Sequence, residues 1–274
     1  HLSLRRQRQM CIRDRVYMNK FIDLSVSLEE GITSDPDFML PKINYHHHQD
    51  TAEEIMSFFP GLKKEDLPGG EGWAMETITV STHNGTHMDA PYHYHSTMDN
   101  GNRAITIDEV PLEWCYGKGV KFDFRSFSDG YVVNVDDIKK ELDRIEHTLS
   151  PLDIIFVNTA ASGHYGKPDF LLKGCGIGKD ATIYLLDQGV RLTGTDAWSW
   201  DAPFTHTAKK FKKTKDPSLI WEGHRAGMHK GYSHIEKLCN LEKLPDKGFL
   251  VSAFPFKIKN GSAGFVRVVA ILDD

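Results

Sequence analysis

The sequence predicts a single α/β domain in which strands outnumber helices. The apolar run at 153–159 is nearly continuous, as in a strand that is covered on both faces of a sheet. Apolar and polar residues alternate over 21–28, which is typical of a half-buried strand. Apolar residues recur at helical spacing over 134–148, where Asn134 is a candidate N-cap. Since the 274 residues contain no internal repeat and no low-complexity linker, we predict one domain rather than two.

The other elements follow from local signals along the chain. Thr51 and Glu54 have the spacing of a capping box, so a short helix is expected over 51–59. A helix over 180–189 is closed by Gly189. Further apolar segments predict strands over 74–80, 119–124, 190–196, 248–254 and 264–272. Polar composition predicts a loop over 31–50 and an exposed loop or helix over 207–215.

Charge and hydropathy argue against several classes of partner. The chain has 38 acidic and 33 basic residues, a formal net charge of -5. Residues 1–17 carry five Arg and one Asp, and subtracting their +4 from -5 leaves -9 on residues 18–274. An acidic body argues against nucleic acid or an anionic membrane as the main partner, and no apolar run approaches the ~20 residues of a membrane helix. We expect residues 1–17 to be a non-native or disordered basic leader and residues 18–274 to form the domain.

The four cysteines are widely spaced. They stand at positions 11, 115, 175 and 239 and form no CxxC pair. This spacing indicates neither a disulfide framework nor a cysteine-based zinc site. A reducing, cytoplasmic location is therefore expected, although a chain with so few thiols could also tolerate export.

The stretch STHNGTHMDAPYHYH, residues 81–95, concentrates four histidines and an aspartate. Asn84-Gly85 is a strong turn signal, so a helix is not expected here. If the chain is extended from Thr86 onward, alternate residues share a face. His87, Asp89 and His93 would then point the same way, and the turn would bring His83 toward them. Imidazoles and a carboxylate suit Zn²⁺, Mn²⁺ or Fe²⁺ better than Mg²⁺ or Ca²⁺.

The segment HNGTHMDAPYH, 83–93, resembles the HxGTHxDxPxH signature of the cyclase-like metal-dependent hydrolases, a family that includes isatin hydrolase and bacterial kynurenine formamidase. DLS at 23–25, GVRLTGTDAWSWDAP at 189–203 and the segment 224–244 are similar to the same family. The resemblance implies a swivelling β/β/α fold with a mixed β-sheet core and flanking helices. It also implies a homodimer or homotetramer.

The resemblance further implies roles for individual residues. His83, His87 and Asp89 would ligate metal, with Asp89 able to bridge two ions, and His93 would be the general acid/base. His224 and Glu236 match the later ligand pair of the family. His229 and His234 lie in the same stretch, however, and could replace either of them. The expected cofactor is Mn²⁺ or Zn²⁺, as one ion or two.

We predict a metal-dependent hydrolase that opens an amide or cyclic amide, and the resemblance implies an aryl formamide or an isatin-like lactam as substrate. A divalent ion can lower the pKa of a bound water to about 7, and an imidazole can protonate the departing nitrogen. Trp73, Trp198 and Trp200 could form a pocket for an aromatic or cyclic carbonyl compound, or pack in the core. Asp196 and Asp201 flank two of these tryptophans, and a turn or hydrogen-bonding role is at least as plausible for them as catalysis.

The same site could also support other activities. It could hydrolyse a lactone or another ester, or act as a cyclase or dehydratase. A non-catalytic metal-binding protein is a further alternative, although it would not need His93.

Overall fold

The computed structural model describes residues 20–272, so the predicted leader, 1–17, lies outside the described residues. Along this part of the chain the strands are β1 (Lys20–Asp23), β2 (Lys42–His46), β3 (Met75–Thr79), β4 (His87–Asp89), β5 (Thr97–Met98), β6 (Asn102–Arg103), β7 (Tyr116–Asp123), β8 (Val132–Val133), β9 (Ile154–Asn158), β10 (Gly176–Ile177), β11 (Leu192–Thr195), β12 (Ser233–Glu236), β13 (Lys247–Ser252), β14 (Ala263–Phe265) and β15 (Val269–Leu272). The α-helices are α1 (Ala52–Phe58), α2 (Pro91–Tyr94), α3 (Val135–Arg144), α4 (Lys179–Asp187), α5 (Phe204–Thr214) and α6 (Glu222–Arg225).

Nine strands form one mixed sheet in the order β1-β15-β13-β7-β9-β11-β12-β4-β14. Its centre, β7-β9-β11-β12, is parallel, and the strands on both sides of this centre pair antiparallel. The predicted α/β domain with a mixed sheet and flanking helices is thus confirmed. The chain returns to the sheet through β12, which brings residues distant in sequence beside β4.

The core lies on both faces of the sheet. All five residues of β9 are buried, with Ile154 and Phe156 in one apolar cluster and Ile155 and Val157 in another. This alternation is the period of two expected of a strand covered on both sides. Helices α3 and α4 cover the second cluster. The Asn134 side chain caps α3 by accepting hydrogen bonds from the amides of residues 136 and 137.

Several local predictions need correction. Helix α1 forms, but the Thr51 hydroxyl donates to the carbonyl of Trp73 and no capping box is made. The first strand ends at Asp23 rather than at 28, because the amides of Ser25 and Val26 donate to the side chains of Asp23 and Thr86 instead of to a neighbouring strand. Strand β2 lies in the predicted loop 31–50, where it pairs with β3 in a two-stranded hairpin outside the main sheet. The predicted strand 264–272 is divided into β14 and β15.

Helix length bears on membrane association. None of the helices within residues 20–272 is both long enough and apolar enough to cross a membrane.

Candidate metal centre

The register between β4 and β12 brings the predicted ligands together. Asp89 lies opposite His234, and His87 lies opposite Glu236. Directly opposed residues of antiparallel strands point to the same face, so all four side chains share one side of the sheet. Between them, Met88 opposes Ile235, and both are buried in the apolar core on the other side.

The turn before β4 adds His83. Gly85 has a φ of 56°, a left-handed conformation that glycine adopts without strain. The Thr86 hydroxyl donates to the carbonyl of Lys237 and fastens this turn to the end of β12. The Nδ1 atom of His83 then lies 2.9 Å from Asp89 Oδ1.

His93 reaches the cluster by a route that differs from the prediction. Residues 91–94 are not extended but form the helical turn α2, with Pro91 at its first position. Proline favours that position because its fixed φ suits a helix start and its missing N–H needs no partner there. This turn folds His93 back toward the end of β4, so that its Nε2 lies 3.7 Å from Asp89 Oδ2.

Helix α6 supplies His224. The Asp201 carboxylate accepts the amide hydrogens of Gly223 and His224 and also the Nδ1 hydrogen of His224. These bonds direct His224 Nε2 toward Glu236 Oε1, 3.6 Å away. His234 faces the same carboxylates, whereas His229 is exposed and outside the cluster. The structure thus brings both His224 and His234 to the site.

The donor atoms fall into two groups that share the carboxylates of Asp89 and Glu236. His87 Nε2 lies 3.4 Å from Asp89 Oδ1 and 3.6 Å from Glu236 Oε2. His234 Nε2 lies 3.2 Å from Asp89 Oδ2 and 3.2 Å from Glu236 Oε1, and His224 joins this second group. Ligands about 2.1 Å from a tetrahedral ion are separated by about 3.4 Å. The donor atoms of Asp89, Glu236, His224 and His234 all lie within 4.8 Å of one another, a spacing that suits one divalent cation, and those of His83, Asp89 and His93 form a second such cluster.

Several of these donors are buried without a partner. Among residues 20–272, His87 Nε2, His234 Nε2 and both carboxylate oxygens of Asp89 make no hydrogen bond. Such atoms are normally satisfied in folded proteins, and leaving a charged group unpaired is costly. The opposite ring nitrogens are already engaged, since His87 Nδ1 donates to the carbonyl of Gly85 and His234 Nδ1 bonds to the hydroxyl of Tyr94. The cluster can therefore bind a metal ion.

The two buried carboxylates of the cluster also favour binding of a cation. In the described part of the chain, histidines are the only basic residues with a side-chain nitrogen within 4 Å of the Asp89 and Glu236 oxygens. Burial opposes ionisation of Asp89, but the charges of neighbouring histidines hold its pKa well below the ordinary value. Burial lowers the pKa of His234, but the Asp89 and Glu236 carboxylates, each 3.2 Å from Nε2, outweigh it and raise that pKa to about 9. A bound divalent ion would supply the positive charge that the His234 proton otherwise provides.

His93 has the opposite electrostatic character. Burial lowers its pKa to about 4, against the attraction of Asp89. The imidazole is consequently neutral at pH 7.

A cavity of about 180 Å³ lies over the cluster, with Trp198, Phe204 and Trp221 among its walls. Trp198 was predicted at this position. Trp200 instead packs beneath the site: it is 1% exposed and its ring lies parallel to that of His234. Trp73 lies on the surface beside Phe58 and does not line the cavity.

Sequence reasoning missed three residues at this site. Trp221 stacks on His224 with ring centroids 4.5 Å apart. Lys237 and Asp35 form a buried ion pair at the cavity wall. Lys237 directly follows Glu236, so its position in the sequence could have drawn attention to it. Trp221 and Asp35 stand in segments without a recognisable motif.

We expect Asp201→Asn to weaken metal binding by about 10- to 100-fold, the usual cost of losing the carboxylate behind a ligating histidine. The amide no longer offers His224 two acceptor oxygens, so the tautomer and the orientation of the ring are less well held. Titration against a competing chelator measures the affinity. Asp216→Asn, on the surface and away from the cluster, is the control. An affinity equal to that of the wild type would show that Asp201 does not orient the ligand.

Comparisons with known proteins extend these observations. A family model described as putative cyclase matches residues 22–202. The kynurenine formamidase of Erythrobacter litoralis (strain HTCC2594) is 28% identical over 193 residues, which are 70% of this chain and 74% of that protein. The kynurenine formamidase of Bacillus thuringiensis subsp. konkukian (strain 97-27) is 29% identical over 194 residues, covering 70% of this chain and 77% of that protein.

Solved structures show the same fold. An isatin hydrolase bound to the product analogue thioisatinate superposes with a TM-score of 0.72 at 18% identity, covering 99% of both chains. Isatin hydrolase A from Ralstonia solanacearum gives a TM-score of 0.73 at 19% identity, covering 98% of this chain and 97% of the other. The predicted cyclase-like arrangement of sheet and helices is thereby confirmed.

Proposed function

Because this chain belongs to the putative cyclase family, we propose that it is a metal-dependent hydrolase that opens a non-peptide C–N bond in an amide or cyclic amide. The observation that carries the proposal is the buried cluster of two carboxylates and several imidazoles with unpartnered donor atoms beneath a cavity. A storage site would not need the neutral His93 imidazole at its edge.

The metal ligands that we propose follow the two donor groups. His87 and His83 lie on one side, His224 and His234 on the other, and Asp89 and Glu236 face both. Imidazole and carboxylate donors favour Zn²⁺ or Mn²⁺, and the spacing suits two ions. When bound, such an ion acidifies a water and polarises the carbonyl to be attacked.

The protein's own residues hold the reactants and move the protons. Neutral His93 accepts the proton that the attacking water gives up, at Nε2, the nitrogen that faces Asp89 Oδ2. It then returns this proton to the nitrogen that leaves as the C–N bond breaks. Asp89 remains ionised throughout because the surrounding histidines stabilise its charge.

The cavity supports an aromatic substrate. Trp198 and Phe204 meet edge to face, with ring centroids 5.3 Å apart, and Trp221 stands opposite His93 at 5.1 Å. Flat aromatic walls suit a flat substrate. An aryl formamide or an isatin-like lactam is the class that we propose, in keeping with the relatives named kynurenine formamidase and the structural likeness to isatin hydrolases.

Assembly and location form a further part of the proposal. We propose a homodimer or homotetramer, and a cytoplasmic location. Within residues 20–272, Cys115, Cys175 and Cys239 are free thiols, which is in keeping with a reducing compartment.

The test pairs metal content with turnover. Protein purified without added metal is assayed on isatin and N-formylkynurenine before and after treatment with a chelator. We expect bound Zn or Mn, loss of turnover on chelation, and recovery when the metal is restored. Turnover that survives complete metal removal would overturn the mechanism. Bound metal with no turnover of either compound, but with turnover of a matched lactone, would favour an esterase instead.

A further inference from the structure

A second apolar groove runs beside the metal-site cavity. Helix α5 has no buried residue, yet Phe204, Thr207, Ala208 and Phe211 recur on one of its faces at helical spacing. Ile220 and Trp221 form the facing wall, and the groove encloses about 420 Å³. Such an apolar groove is unfavourable in water and commonly marks a binding surface.

The groove shares two walls with the cavity over the metal cluster. Phe204 and Trp221 line both spaces. Trp221 stacks on His224 at an interplanar angle of 14° and meets the edge of His93. It therefore stands between the reacting centre and the groove.

The backbone of Trp221 supports a functional role for this position. Its φ is 59°, in the left-handed region that bulky residues rarely adopt. Backbone conformations of this kind are concentrated at ligand-binding and active sites, where the surrounding structure holds them.

The sizes of the two spaces indicate what fills the groove. Ligand pockets usually measure about 300–1,000 Å³, so a cavity of 180 Å³ is small for a complete substrate site. When the groove of 420 Å³ is added to this cavity, the combined volume falls within that range. We propose that the groove binds an apolar arm of the substrate, so that the preferred compounds are aromatic amides or lactams bearing an alkyl or aryl substituent. This inference rests on the proposed function.

The test compares bare and substituted compounds. Isatin is assayed beside isatins that carry a butyl chain at one ring carbon or on nitrogen. Burying a methylene contributes a factor of roughly four, so we expect kcat/KM for the best butyl compound to exceed that for isatin by tenfold or more.

Substitutions on α5 connect this preference to the groove. Ala208→Trp fills the groove and Ala208→Asp places a charge in it, and each is expected to reduce the preference for the butyl compound at least fivefold. Lys213→Trp, on the opposite side of the same helix, is the matched control and should keep the wild-type ratio. Thermal unfolding identifies any variant that does not fold.

The outcomes separate the two proposals. Turnover of isatin with no preference for any butyl compound would contradict the proposal that the groove binds a substrate arm. It would leave the proposed function standing. If neither the isatins nor N-formylkynurenine is hydrolysed, the proposed function fails. Calorimetric titration of the same butyl compounds into wild type and Ala208→Trp then decides whether the groove binds them. Equal or absent heats in both proteins would overturn the inference.

Discussion

His93→Ala is expected to retain its metal while losing turnover by about 10²- to 10⁴-fold, the usual contribution of a general acid/base. The side chain lies at the edge of the cluster. Its Nε2 is 3.7 Å from the Asp89 carboxylate, whereas His83 Nδ1 is 2.9 Å and His234 Nε2 is 3.2 Å from it. Its removal should leave the remaining imidazoles and both carboxylates in place. Metal content and kcat/KM are measured on the same preparation.

His95→Ala is the matched control for this variant. His95 lies two residues away, is exposed, and hydrogen-bonds to Thr97 rather than to the cluster. Its loss should change kcat/KM by less than threefold. If His93→Ala instead loses one metal equivalent along with its activity, His93 is a ligand, which its grouping with His83 and Asp89 also permits. Unchanged turnover would eliminate both roles.

The sequence motif anticipated much of the site because its residues are local. His83, His87 and Asp89 lie within seven positions, so turn and strand geometry alone bring them near one another. The choice among His224, His229 and His234 depended on long-range pairing. Only the register that sets His234 opposite Asp89 and Glu236 opposite His87 places those two side chains at the site.

Other features escaped sequence reasoning for identifiable physical reasons. The chain was predicted to be extended from Thr86 onward, but Pro91 begins a helical turn, and His93 reaches the site from that turn. Trp200 and Trp198 are two residues apart and were treated alike. Their environments differ because the indole N–H of Trp200 donates to Thr182 inside the core, whereas that of Trp198 donates to Asp35 at the cavity. Burial of this kind is a property of the assembled fold.

Asp35 and Lys237, which are 202 residues apart in sequence, form a buried ion pair. This pair joins the N-terminal segment to the end of the strand that carries Glu236. Lys237 and Asp35 are 1% and 0% exposed, and Lys237 Nζ also donates to the carbonyl of His83, 2.7 Å away. Asp35 further accepts hydrogen bonds from Asn84 and from the indole of Trp198. The pair thus holds the turn before β4 and one wall of the cavity.

Lys237→Met is therefore expected to lower the free energy of unfolding by about 3–5 kcal/mol, because it leaves the Asp35 carboxylate buried without its counter-charge. That loss is a large fraction of the roughly 5–15 kcal/mol by which a domain is stable. Urea unfolding of metal-free protein gives the value without the added stability of a bound ion. Arg267→Met, which breaks an exposed ion pair with Asp23, should change the free energy of unfolding little.

Asp35→Asn/Lys237→Met should recover much of the loss, because the carboxylate charge is removed while an amide can still bond to Asn84 and Trp198. A double variant no more stable than Lys237→Met would mean that packing of the lysine stem, rather than the paired charge, holds this part of the fold.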